Sequence, residues 1–216
     1  MKVVRLDGVY MSIEVWISFV LASMMLCFTP GPTVFVVMGQ SLNHGKKSVI
    51  PLVSGVLTGD IIAMSISFAG LGALLATSAT LFSAFKWIAA GYLIYLGLKA
   101  WFTKSNVDEL DTTHKKSGEI FKEALVVTAL NPKGIIFFIA FFPLFINTSN
   151  AVWPQMLIMG ISFLMASLLS ASFYSFFSGY LRSKIKSEKF QNAFSKLSGS
   201  MLIGASAVTA TLQKSD

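Results

Sequence analysis

The sequence predicts an all-α integral membrane protein, with six transmembrane helices arranged as a 3+3 inverted repeat in which helices one and four are broken. Three observations predict it. The chain is 54% hydrophobic and only 12% charged over 216 residues, and its mean hydropathy of +0.70 leaves too little polar surface to cover a water-soluble globule. Apolar stretches recur at the length of roughly 20 residues that a bilayer requires. The first stretch of each half also carries a proline interruption well inside its run, the pattern of a broken transporter helix.

In chain order, the spans fall at 13–38, 49–75, 81–102, 120–146, 152–181 and 195–212. Span one follows Lys2 and Arg5, as a signal peptide would, but it is too long for one, lacks a small-x-small cleavage site and is interrupted by "TPGP". Span two carries Asp60 near its centre, with Gly55 and Gly59 one turn apart beside it. Span three carries Lys86 near its outer end, where its ammonium is expected to snorkel. The polar run "TKSNVDELDTTHKKSGE" at 103–119 reads as a flexible cytoplasmic linker between a first three-helix half, 1–102, and a second, 120–216. Span five carries Ser167, Ala171, Ser175 and Gly179 at intervals of four; these and the span-two glycines read as faces for close helix packing. Span six is the shortest and holds Ser198, Ser200 and Ser206.

Lys and Arg set the orientation. They crowd the segments between spans one and two (Lys46, Lys47), three and four (Lys104, Lys115, Lys116) and five and six (Arg182, Lys184, Lys186, Lys189). The alternate segments, "ATSATLF" and "NTSNAVW", have none. The basic segments are therefore expected in the cytoplasm and both termini outside it. The net charge of +7 reflects this bias and an attraction to anionic membrane lipid, with no need of nucleic acid. Cys27, the only cysteine, reads as a packing residue, and His44 and His114 as solvated loop residues. A 3+3 arrangement has an odd number of spans per half, so the second half enters the membrane from the opposite side.

The breaks are Thr29-Pro30-Gly31-Pro32 in span one and Asn131-Pro132-Lys133 in span four. Proline removes a backbone donor and clashes with the carbonyl one turn back, freeing polar groups that need partners in a medium without water. Thr-Pro and Asn-Pro also resemble helix starts, a capping oxygen followed by a proline of suitable φ. Each break is thus expected to open a half-helix, capped by Thr29 or Asn131, whose amides and positive dipole end attract a carboxylate. Asp60 and Lys133 are the deep charges. A charge at that depth costs about 2.5–3.5 kcal/mol on an insertion scale, so each should face inward and have a partner. They could neutralise one another, or Asp60 could take a substrate ammonium or a coupling proton; the sequence leaves both open.

The runs "FTPGPTVFVVMGQSLNHGKKSVIPLVSGVLTGD", "FKWIAAGYLIYLGLKAW" and "LNPKGIIFFIAFFPLF" resemble the LysE/RhtB family of bacterial amino-acid exporters, in order and over most of the chain. The resemblance implies a proton-driven carrier of the bacterial inner membrane that expels amino acids or close derivatives. By position, the family's PGP motif falls on Pro30, Gly31 and Pro32, its second-span acid on Asp60, and its NPK motif on Asn131, Pro132 and Lys133. Two positions depart from the pattern: Leu144 stands where a glutamine often follows the "FFP" proline, and Thr33 where Asn or Asp often follows PGP. Both bear on which substrate is carried, and Thr33 joins the candidate site.

No cofactor is expected. An intramembrane enzyme, such as a lipid-modifying transferase, would need a nucleophile or base with a metal or phosphate cluster, and no intramembrane His or acid cluster is present. An exporter of metal ions would want more ligands than one Asp and one Cys. An amino acid and membrane lipid are the expected partners; whether the protein forms a homodimer the sequence leaves open.

Overall fold

The computed structural model describes residues 3–6, 9–77 and 115–185, with isolated positions between 87 and 98 and between 187 and 200. Most of spans three and six, Lys86, His114 and most of the linker lie outside the described residues.

The described residues are mostly helical. Among them the exception is an antiparallel hairpin of β1 (Val3–Leu6) and β2 (Val9–Ser12), paired from Val3 with Ser12 to Leu6 with Val9. Ser12 ends the strand and caps α1 (Ile13–Phe28), its hydroxyl accepting from Val15 N at 3.3 Å.

Helix α1 stops at Phe28 because Pro30 bars the preceding residue from helical geometry, and Thr29 turns extended (φ −70°, ψ 121°). Helix α2 (Pro32–His44) begins three residues after Thr29, with Pro32 in its first turn. A 3₁₀ turn, Gly45–Ser48, follows, with Gly45 at φ +60°, where a glycine avoids the penalty a side chain would bring. Helix α3 (Val49–Thr77) then runs back beside α2, so that Thr33 and Asp60 line one cavity and His44 and Ser48 another.

The second half begins with α4 (Ser117–Ala129), where the Glu119 carboxylate accepts from Lys116 N at 2.9 Å. A bend of 43° separates α4 from a composite run. That run is α5 (Pro132–Ile136), a π-helical turn over Phe137–Phe141 and a 3₁₀ turn over Phe142–Phe145. The loop that follows is held by Gln155, fully buried, which bonds Asn147 N and O and Ala151 O. Helix α6 (Val152–Ile185), 34 residues long, packs against α1, α2 and α3.

Two apolar clusters bracket the centre. One is aromatic: Phe19, Phe137, Phe138, Phe141, Phe142, Phe145 and Phe163, with Phe137 and Phe141 stacked at 4.4 Å and Phe19 edge-on to Phe142 at 4.9 Å. The other gathers Val34, Val37, Met38, Leu52, Val56, Ile120 and Ala124. Outward, Leu157, Ile161, Met165 and Leu169 expose an apolar stripe along α6, suited to lipid or to further helices. Stretches within Pro32–Gly70 and Val152–Ser178 are long and apolar enough to cross a membrane, and the bent pair from Ser117 to Phe145 makes a third. The expected six spans include segments outside the described residues.

The span-two glycines serve close packing, as expected. A Cβ on Gly55 would lie 2.5 Å from Phe121 O, and one on Gly59 would lie 2.7 Å from Leu125 O, so α3 and α4 touch backbone to backbone. Gly59→Val therefore costs about 1–3 kcal/mol of overpacking strain. It is expected to lower the unfolding temperature of the detergent-purified protein by several degrees, whereas an unchanged midpoint would mean that α3 and α4 do not pack this closely.

Candidate functional site

The freed groups at the first break have partners, and most come from α6. Ser170 Oγ donates to Cys27 O at 2.7 Å, Tyr174 Oη to Phe28 O at 2.5 Å, and Lys133 Nζ to Thr29 O at 2.8 Å. Ser167, Ser170 and Tyr174 fall at i, i+3 and i+7, one face of the helix. That hydroxyl-bearing face satisfies the end of α1 where water cannot.

Thr29 does not cap a half-helix start. Its hydroxyl bonds back to Met25 O at 2.6 Å, closing the end of α1, and the cap of α2 is Gly31, without a side-chain bond. The reason is the second proline: with Pro32 as the first helical residue, the cap position falls on residue 31. Gly31 lies at φ −171°, extended backbone open to any residue, and a Cβ there would meet Lys133 Nζ at an ordinary 3.7 Å. Asn131 caps as expected, its Oδ1 accepting from Lys133 N at 3.1 Å.

The two breaks are tied together. Asn131 Nδ2 donates to Thr33 Oγ1 at 3.1 Å, Thr128 Oγ1 donates to the same oxygen at 3.3 Å, and Lys133 reaches across to Thr29. Thr33 thus supplies a polar group at the junction even though Asn or Asp is absent.

Asp60 is buried at 7% exposure, and its Oδ2 accepts from Ser167 Oγ at 2.5 Å. No ion pair joins it to Lys133: each charge has its own neutral partner. Ser167, read from the sequence as packing, is therefore a ligand of the deep carboxylate, and Ala171 is the packing member of that stripe.

Thr29, Gly31, Thr33, Asp60, Asn131 and Lys133 all line one cavity, together with Cys27, Thr128, Ser167, Ser170 and Tyr174. Pro30, Pro32 and Pro132 do not line it; they shape the backbone that does. The cavity measures about 60 Å³, and at roughly 10–15 Å³ for each water-sized unit it has room for a few heavy atoms. The first turn of α2 leaves amides without intrahelical acceptors, and Thr33 and Val34 of that turn face the cavity. One narrow space thus combines a carboxylate, an ammonium and a helix N-terminus. Its groups are complementary to the two ends of a zwitterion.

The sequence profile of the LysE type translocators matches residues 24–212. The chain belongs to that family. Homoserine/homoserine lactone efflux proteins of Salmonella typhimurium and Salmonella typhi are each 33% identical to this translocator over 198 residues, 90% of its chain and 96% of theirs. An uncharacterized membrane protein of Vibrio cholerae serotype O1 is 30% identical over 202 residues, covering 93% of this chain and 98% of its own. No solved structure matches it. The translocator is a multi-pass membrane transporter and not an enzyme.

His44 is tied into the fold, unlike the solvated loop residue expected. It ends α2, its Nδ1 lies 3.1 Å from Gln40 O, and its Nε2 accepts from Lys115 N at 2.8 Å. Helix geometry brings it beside a segment far away in sequence, which no local pattern announces.

Proposed function

We propose that this translocator exports small amino acids or close derivatives, homoserine and its lactone among them, across the bacterial inner membrane in exchange for protons. The observation that carries this reading is the pairing of opposite charges, Asp60 and Lys133, on the walls of one cavity without an ion pair between them. Each is held by a neutral partner that a substrate can replace. The ammonium goes to Asp60; the carboxylate goes to Lys133 and the amides at the start of α2. Homoserine and its lactone share the ammonium but not the free carboxylate, so Asp60 is the anchor common to both. Because one carboxylate takes either a proton or an ammonium, loading one expels the other, and the proton gradient drives export.

The likeness to the homoserine/homoserine lactone efflux proteins of Salmonella supports the substrate class. The frame is a 3+3 inverted repeat with the basic segments in the cytoplasm and both termini outside, its outer faces against lipid. Cells overproducing the protein are expected to tolerate more homoserine than control cells and to accumulate less of it. Equal tolerance and equal internal levels, for homoserine and for every other amino acid tried, would overturn the reading.

A further inference from the structure

A second cavity, of about 610 Å³, opens at the other end of α2, lined by Asn43, His44, Lys47, Lys115, Lys116 and Ile120 among others. The same three helices lead from it to the central cavity. Helix α2 passes from Val37 to Asn43, α3 from Val56 back to the 3₁₀ residue Ser48 just before it, and α4 from Thr128 to Ile120. At 1.5 Å per residue the layer between is about 9–12 Å thick. It is closed by buried Met38, Leu52 and Ala124 and by a set of polar bonds that hold α2 to its neighbours. Gln40 Nε2 donates to Glu123 Oε2 at 2.9 Å and Ser41 Oγ lies 2.7 Å from Ser175 Oγ; Lys115 Nζ, just before α4, steadies the other Glu123 oxygen at 3.0 Å.

We propose that the basic cavity is the vestibule through which the substrate carboxylate is drawn in, and that α2 is the gate between vestibule and central site; this rests on the export reading above. Three features single out α2. Its neighbours α3 and α4 are in backbone contact at Gly55 and Gly59 and cannot part without losing that packing, whereas α2 is held to α4 by side-chain bonds. Both of its ends are hinges: the break at Thr29–Gly31, and Gly45 at φ +60°. The closed layer also carries a cost, because Gln40 Oε1 is buried without a partner. Tilting α2 outward brings vestibule water to that oxygen and to the Glu123 carboxylate, so opening replaces what it breaks. The far side of the central cavity lies against the aromatic cluster through Phe163, which offers no such exchange.

Two measurements test the gate in a Cys27→Ala background. Ser41→Cys with Ser175→Cys is nearly isosteric and places two sulfurs at bonding range. The oxidised protein is expected to lose at least nine-tenths of its transport, recovered on reduction; a fully cross-linked protein that transports at the reduced rate overturns the gate. Separately, Glu123→Gln in a Val37→Cys protein is expected to raise labelling of that cysteine by a small water-soluble thiol reagent several-fold, and an unchanged rate overturns the gate without any substrate. Faster labelling in a protein that moves no amino acid would leave the gate standing and remove the export reading instead.

Discussion

Asp60→Asn abolishes proton-driven efflux while expression and thermal stability stay near wild type. Asparagine keeps the shape of the side chain and an oxygen for the Ser167 hydroxyl, so the bond between Asp60 and Ser167 survives. What is lost is the charge. A hydrogen bond to a charged partner is worth about 1.5–3 kcal/mol, so ammonium binding weakens roughly ten- to hundredfold, and the proton carrier is gone altogether. Residual slow exchange of substrate, independent of the pH gradient, is the most the variant should retain. The double change Asp60→Asn with Lys133→Gln separates this from a structural role. If the charges merely neutralised one another, removing both would restore much of what either single change loses, since an unpaired buried charge costs more than none. The geometry argues otherwise, because Lys133 is bonded to Thr29 O and not to Asp60. The double mutant is expected to be inactive in the same efflux assay, and an active one would make Asp60 a packing residue.

Pro30→Ala with Pro32→Ala is expected to eliminate transport in a protein that still inserts and folds. Each proline is about 3 kcal/mol less favourable than alanine inside a helix, so the pair holds the break open against a strong tendency to run on. In a continuous helix the carbonyls of Cys27, Phe28 and Thr29 would accept from amides one turn ahead, in competition with Ser170, Tyr174 and Lys133. The amides of Thr33 and Val34 would be consumed as well, and with them the end that receives the carboxylate. Transport near the wild-type rate, measured alongside protein levels in the membrane, would reduce the interruption to a kink.

The backbone events were legible because proline and glycine act locally. Both breaks, the Asn131 cap and the close approach at Gly55 and Gly59 follow from residue types at adjacent positions. The cap at the first break was misplaced by two residues, since two prolines compete to start the helix and only the second does. The hairpin could have been read as well: "DG" at Asp7 and Gly8 between short runs of β-branched and apolar residues is a two-residue turn signal.

The ligands of the site were less legible. Ser167, Ser170 and Tyr174 form a recognisable hydroxyl stripe, but small residues in a membrane helix serve packing as readily as bonding, and only the rotation of α6 against α1 and α3 decides between them. The placement of α3 against α5 likewise decides whether Asp60 meets Lys133. No sequence spacing encodes it.

One cavity carrying an amino acid across the membrane at the expense of a proton gradient is the central claim. The most direct measurement uses purified protein in liposomes loaded with labelled homoserine, with a pH gradient imposed across the membrane. Unchanged homoserine is expected to leave faster with the gradient than without it, and the gradient is expected to make no difference through Asp60→Asn. Wild-type protein that moves neither homoserine nor any other amino acid, with the gradient or without it, would contradict the account.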